Sequence, residues 1–260
     1  MREQAPSNPE SAAAEDVLPA EAARADGRRA TDLRPIRFEL GYQEWAEGSL
    51  LFQMGRTRVL VAASIEDRAP RFLLGSGRGW VTAEYSMLPR ATTERTAREV
   101  SRGRPSGRTQ EIQRLVGRSL RSVTALEGMG ECTIWVDCDI LQADGGTRTA
   151  SITAGYLALA QALGRLTEAG TLPADLLTDT VAAVSVGIVN GELLLDLAYD
   201  EDARADVDFN VVMTGSGRFV EVQGTAEGQA FSRHELQVLL DLAARGIEQL
   251  TEWQRQILAG

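Results

Sequence analysis

Residues 134–163 combine two incompatible periodicities across a pair of glycines, and that junction restricts the chain to folds in which a strand feeds directly into a buried helix. Ile134, Val136 and Ile140 alternate along a short run with β-branched residues, the pattern of a half-buried strand. Asp144-Gly145-Gly146 interrupts the run, because paired glycines accept positive φ and let backbone approach a ligand closely. Thr147 is placed as an N-cap, and from Thr149 the segment ASITAGYLALAQAL is small and apolar, as a buried helix requires. Unpaired N–H groups and the positive end of a macrodipole gather at such a helix start, and Arg148 stands in its first turn. A cation there is unfavourable unless an anion comes between. The junction therefore reads either as an anion cradle or as an ordinary strand-to-helix connection.

The chain has 260 residues, long enough for one large domain or two small ones, and its 43% apolar content supports a sizeable core. No stretch approaches the roughly 18 consecutive apolar residues of a membrane span. Residues 1–23 are rich in Ala, Glu and Pro and lack both a signal core and a basic transit character, so they are read as a disordered acidic tail before a domain over 24–260. A cytoplasmic protein without a membrane partner is expected. Cys132 and Cys138 are read on one strand an even number of positions apart, sharing a face but too distant to bond, and their spacing suits no metal site, so both are expected as buried thiols. His234 is the single histidine; Ser232 and Glu235 form a capping box around it, which places it exposed in the first turn of the last helix. Histidine chemistry is thereby poorly supported.

Every one of the 27 basic residues is arginine. Without lysine there is no P-loop lysine, Schiff base or lysine base, and guanidinium is left as the strong cation for anions. The net charge of −10 argues against nonspecific nucleic-acid binding, yet residues 66–121 carry a surplus of arginine over carboxylates. Arg90, Arg95, Arg98, Arg102, Arg104 and Arg108 fall in a polar, glycine-containing stretch with little to bury. Such a run is either a solvated face or a grip on phosphate oxygens, which guanidinium binds bidentately. Ile112, Leu115, Val116 and Leu120 then repeat at helical spacing, setting Arg108 just before a helix start.

Strands are expected over about 35–40, in a hairpin joined across Gly55-Arg56, and from Trp80 to Leu88. The glycine-rich stretch from Leu73 to Trp80 lacks a following helix, and a mobile connection is favoured over a phosphate loop. After the central helix, AAVSVGIV, ELLLDLAY, DVDFNVVM and RFVEVQGT read as an antiparallel meander, followed by an amphipathic helix with Leu236, Leu239, Leu240, Ala243, Ile247 and Leu250 on one side. Mixed α/β layers follow from this order. Near the end, Val207, Phe209 and Val211 share one strand face, which leaves Asp206, Asp208 and Asn210 on the other, with Asp202 in reach. Carboxylates this dense form a solvated acidic loop or need a cation, and all-oxygen donors suit Mg²⁺ or Mn²⁺. Together with two anion sites they favour metal-assisted chemistry on phosphate.

RADGR (24–28), LRPI (33–36), GWVTAEYSMLPRAT (79–92), SGRTQEIQRLVGRSLR (106–121), DCDILQADGGTRTASIT (137–153), EDARADVDFNVVMTGSGRFVEVQGTAEG (201–228) and FSRHEL (231–236) closely resemble the ribonuclease PH family. The resemblance runs from about Arg24 to the C-terminus. It implies a single α/β domain similar to the ribosomal protein S5 domain 2-like fold, assembled as a homo-hexameric trimer of dimers. It also implies a phosphate-dependent 3′ exoribonuclease that trims tRNA precursors. On this resemblance Arg108, Gly146, Thr147 and Arg148 match the residues that hold the attacking phosphate. Asp202 and Asp208 match the acidic pair implicated in catalysis and divalent-metal binding, and Arg90, Arg95 and Arg98 fall where tRNA is gripped. Ala203 stands where many relatives have serine, and the tail before Arg24 is extra. None of these departures touches the phosphate ligands.

The expected reaction is attack of inorganic phosphate on the last phosphodiester of an RNA, which needs no protein nucleophile because phosphate is already anionic. An acidic residue serves in it as metal ligand or as general acid. The rival is a noncatalytic RNA-binding ring subunit of exosome-core type, which needs basic surface but neither GGTR nor the acidic pair. A nucleotide-binding metabolic enzyme lacks its P-loop lysine.

Overall fold

Nine strands and four α-helices follow one another in the computed structural model, which describes residues 24–228 and 230–259. The acidic tail falls outside the described residues. β1 (Ile36–Leu40), β2 (Gly48–Met54), β3 (Thr57–Glu66), β4 (Trp80–Met87) and β5 (Thr133–Gln142) form a sheet in the order β1-β2-β3-β5-β4. All neighbours in it are antiparallel except β4 and β5. The hairpin across Gly55-Arg56 is present, and β5 alternates as its sequence does. Ile134, Val136, Cys138 and Ile140 are buried while Trp135, Asp137 and Asp139 stay partly open.

α1 (Gly107–Arg121) packs on β4, and α2 (Thr147–Glu168) lies against β2, β3 and β5 while also touching β6 (Val181–Val189) of a second sheet. A helix so enclosed must be small and apolar nearly all round, and Ala150, Ile152, Ala154, Leu157, Ala158 and Leu159 are each buried to 2% exposure or less. β7 (Glu192–Leu195), β8 (Val207–Thr214) and β9 (Phe219–Ala226) complete the second sheet, with α4 (Arg233–Leu258) packed against β6 and β8. One hydrophobic cluster runs through both sheets.

Three expectations need correction. The second sheet is antiparallel throughout, but its order is β7-β6-β8-β9 and so is not a meander. The Asn190-Gly191 turn closes a tight β6–β7 hairpin, and the chain then passes β6 to pair β8 on its other side, using α3 (Tyr199–Asp202) as the crossing. Cys132 lies one residue before β5, although both thiols are buried and free as expected. The N-cap of α2 is Gly146, left-handed at φ 62°, and Thr147 is the first helical residue. Two consecutive left-handed residues complete the turn without help from a hydroxyl, so Thr147 is released from capping. At the last helix the capping box holds: Ser232 N–H donates to Glu235 Oε2 at 2.6 Å and Glu235 N–H to Ser232 Oγ at 3.2 Å, with His234 exposed beside them.

Candidate active site

A cavity of about 670 Å³ opens where α1, α2, α3 and β8 converge. Arg108, Gly146, Thr147, Arg148, Asp202 and Asp208 all line it. The structure therefore brings both arginines and both carboxylates to one place.

Arg108 and Arg148 occupy equivalent positions: each is the second residue of its helix, α1 and α2 respectively. Arg108 was expected just before α1; Ser106 is the cap instead, accepting from Thr109 N–H at 3.2 Å. Two guanidinium groups at two positive helix ends repel the dipoles behind them, so the arrangement favours an anion between them. In α2 the first ladder bond runs from Ala150 N–H to Gly146 O at 2.9 Å, which leaves the amides of the first turn pointing toward the cavity end. Buried Tyr85, on β4, meets the Thr147 hydroxyl at 2.9 Å. Burial pushes the Tyr85 phenol above its ordinary pKa, so it stays protonated, and as the donor it leaves the Thr147 proton free for another acceptor. Arg148 is held from outside the cavity by Glu111 of α1 at 3.6 Å and by a hydrogen bond to Gln223 of β9.

The two glycines serve packing as much as access. A Cβ on Gly145 would stand 2.5 Å from Leu197 O and 2.9 Å from Tyr199 N, so the entry to α3 rests directly on the turn. One on Gly146 would lie 3.0 Å from Arg34 Nη2. Thr57 secures the same turn from β3, donating to Gly145 O at 2.7 Å and accepting from Asp144 N–H at 2.9 Å.

Behind the turn is a buried network that the sequence alone does not reveal. Arg34 donates through Nε and Nη2 to the Asp196 carboxylate and through Nη1 to Asp144 O. Burial opposes its charge, but Asp196 more than offsets this and raises its pKa. Arg24 donates to Glu201 Oε1 at 2.7 Å and to Leu195 O at 2.6 Å, and Arg28 reaches Glu201 at 3.6 Å. Burial would lift the Glu201 carboxyl, yet hydrogen bonds from Arg24 and from Ala198 N–H hold it below its usual range. Glu201 thereby anchors α3 from behind while Tyr199, Asp200 and Asp202 face the cavity. The one sequence signal is that RADGR and LRPI stand among the motifs shared with the ribonuclease PH family, but the carboxylate partners of Arg24 and Arg34 lie more than 160 residues away, while Arg28 also finds one close by, in Asp26 at 2.7 Å.

Asp202 and Asp208 are both raised above the ordinary carboxylate range. Burial is the main cause in each; for Asp208 the next is the Asp202 charge, while Arg108 and Arg148 pull Asp202 back. Two like charges with oxygen donors and an open side fit a divalent cation that keeps water or substrate oxygens in its shell. Among the described residues no group of three or more His, Cys, Asp or Glu could hold a metal by itself, so any cation here would lean on such external ligands. Asp206, expected on the same face, is exposed and does not line the cavity; Asn210 does. Arg90, Arg95 and Arg98 are exposed on the segment between β4 and α1 and do not line it either, which leaves them as surface cations outside the reaction centre. Among the described residues no helix is long and apolar enough to cross a membrane.

Residues 32–163 match the model of the 3′ exoribonuclease family, domain 1, and residues 179–246 match domain 2 of the same family. The ribonuclease PH of Moorella thermoacetica is 60% identical over 235 residues, covering 90% of this chain and 94% of that protein. The ribonuclease PH of Bacillus subtilis is 58% identical over 236 residues, covering 90% and 96%. The fold is shared with a chain of the Archaeoglobus fulgidus exosome solved with RNA bound to the active site, at TM-score 0.74, 23% identity and coverage of 88% of this chain and 91% of that one. The chain belongs to the 3′ exoribonuclease family, in its ribonuclease PH branch. It is an enzyme, a phosphate-dependent exoribonuclease.

Proposed function

We propose that the enzyme trims the 3′ ends of tRNA precursors by phosphorolysis and, in reverse, adds nucleotides from nucleoside diphosphates. The observation that carries this reading is the convergence of Arg108, Arg148 and the α2 start with Asp202 and Asp208 on one cavity. Orthophosphate is seated by the two guanidiniums, the Thr147 hydroxyl and the amides beside Gly146. From there it attacks the phosphorus of the last phosphodiester. The bond to the preceding 3′ oxygen breaks, and a nucleoside 5′-diphosphate leaves an RNA one residue shorter.

Both reactants are anions, so the residues lower the barrier chiefly by neutralising and aligning them. Asp202 and Asp208 would hold Mg²⁺ or Mn²⁺, which supplies charge neutralisation for the phosphoryl oxygens. Arg90, Arg95 and Arg98 grip the RNA backbone beyond the cavity, and the working assembly is a homo-hexameric trimer of dimers in the cytoplasm. Incubation of an RNA bearing extra 3′ nucleotides with Mg²⁺, with and without phosphate, tests the reading. Nucleoside diphosphate released only with phosphate supports it. RNA binding of steep salt dependence without any diphosphate would instead indicate a noncatalytic ring subunit.

A further inference from the structure

Tyr199 is 57% exposed and is the one aromatic side chain among the described residues lining the cavity. Among the described residues its ring belongs to neither hydrophobic cluster, so packing there gives no reason for an aromatic residue. Its place is nevertheless fixed. The backbone N of Tyr199 lies 2.9 Å from where a Gly145 Cβ would be, directly against the turn that starts α2. Three residues on in the same helical turn, Asp202 projects from the same side. Glu201, on the opposite side, is clamped by Arg24 and by Ala198 N–H at 2.8 Å. An exposed ring is thus mounted on a backbone that cannot easily move, beside the phosphate seat.

The nucleotide that leaves as a diphosphate must place its base within this cavity, close to its own phosphate. The remaining walls are mostly charged or small polar groups that offer a base no flat apolar surface. An enzyme that removes any of four nucleotides needs contact that ignores base identity, and ring stacking supplies that. Resting on the phosphorolytic reading of the site, we infer that Tyr199 is the platform on which the 3′-terminal nucleobase of the RNA stacks. It contacts substrate but takes no part in bond making.

The test is a double-mutant cycle in equilibrium binding, in Mg²⁺ buffer without phosphate. Wild type and Tyr199→Ala are each titrated with one RNA oligonucleotide and with its twin carrying an abasic ribose at the 3′ end. Stacking predicts that Tyr199→Ala weakens binding of the intact RNA by about 5- to 150-fold, that removing the base costs wild type a similar factor, and that the two losses do not add. Tyr199→Phe should bind as wild type does. An equal loss on both RNAs, or no loss on either, overturns the inference. Because binding is read without phosphate, the cycle stands even if the phosphorolysis assay fails, and failure of one is distinguishable from failure of the other.

Discussion

Arg34 and Asp196 are joined three times over: the Arg34 backbone N–H, Nε and Nη2 donate to the Asp196 carboxylate at 2.8, 2.9 and 2.7 Å, with the two side chains 3% and 1% exposed. Asp196 adopts φ 54°, a left-handed conformation that a non-glycine residue holds only when its surroundings require it. Removing one partner strands a buried charge. Asp196→Ala should therefore lose about 3–5 kcal/mol in denaturant unfolding. Arg34→Lys should not preserve the wild-type stability either, since an ammonium cannot reproduce the fork. A loss near that of a surface pair would show that the network is not braced as described.

Gly145 and Gly146 predict a graded pair of variants. Alanine at either costs roughly 1–2 kcal/mol for holding a positive φ. At Gly145 the new methyl also meets the Leu197 carbonyl at 2.5 Å, backbone that carries α3 and hence Asp202. Gly145→Ala should thus lower kcat more than Gly146→Ala does, and should weaken the response to Mg²⁺. Steady-state kinetics at several Mg²⁺ concentrations separate the two; the reverse order would contradict the close approach of α3 to the turn.

The raised carboxyls of Asp202 and Asp208 set a pH response. A carboxyl raised in the folded state binds more protons there than in the unfolded chain, so the stability it contributes is present in acid and lost as pH climbs from the ordinary aspartate value through the raised one. In cation-free buffer the melting temperature of wild type should fall over that interval relative to the Asp202→Asn, Asp208→Asn double variant. Mg²⁺ should restore it above the interval and have little effect below. Melting curves that run parallel in the two proteins, with or without Mg²⁺, would refute a cation site at this pair.

Exposed Arg90, Arg95 and Arg98 should act through charge alone. If each meets one RNA phosphate, the triple alanine variant flattens the dependence of log binding constant on log salt by about 0.7 for every phosphate no longer neutralised on single-stranded RNA. An unchanged slope would remove these residues from the RNA path.

Much of the fold and site is legible in the sequence because it is local. Alternation predicts β5, the glycine-containing turn at Gly55-Arg56 predicts its hairpin, the Gly145-Gly146 pair predicts the α2 start, and the shared strand face predicts Asp208 and Asn210 in the cavity but wrongly adds Asp206. Other features depend on partners distant in the chain. Arg24, Arg28 and Arg34 show in a sequence only as charges, and nothing near them announces that Glu201 and Asp196 neutralise them in the interior. Residue preference assigns the cap of α2 to Thr147, whereas two left-handed glycines complete that turn and leave its hydroxyl to the cavity. The order of the second sheet escapes for a similar reason: hairpin turns specify neighbours, but the crossing through α3 does not specify which side of β6 the chain returns on.

Orthophosphate seated by Arg108 and Arg148 is the reactant on which every proposed step depends. Digestion of RNA with ³²P-labelled phosphate reads this directly. One label per nucleotide released, in the β-phosphate of the diphosphate, is predicted for wild type. Loss of labelling in Arg108→Ala and Arg148→Ala is predicted too, with their circular dichroism unchanged. Release of unlabelled monophosphates, or full labelling by both variants, would contradict it.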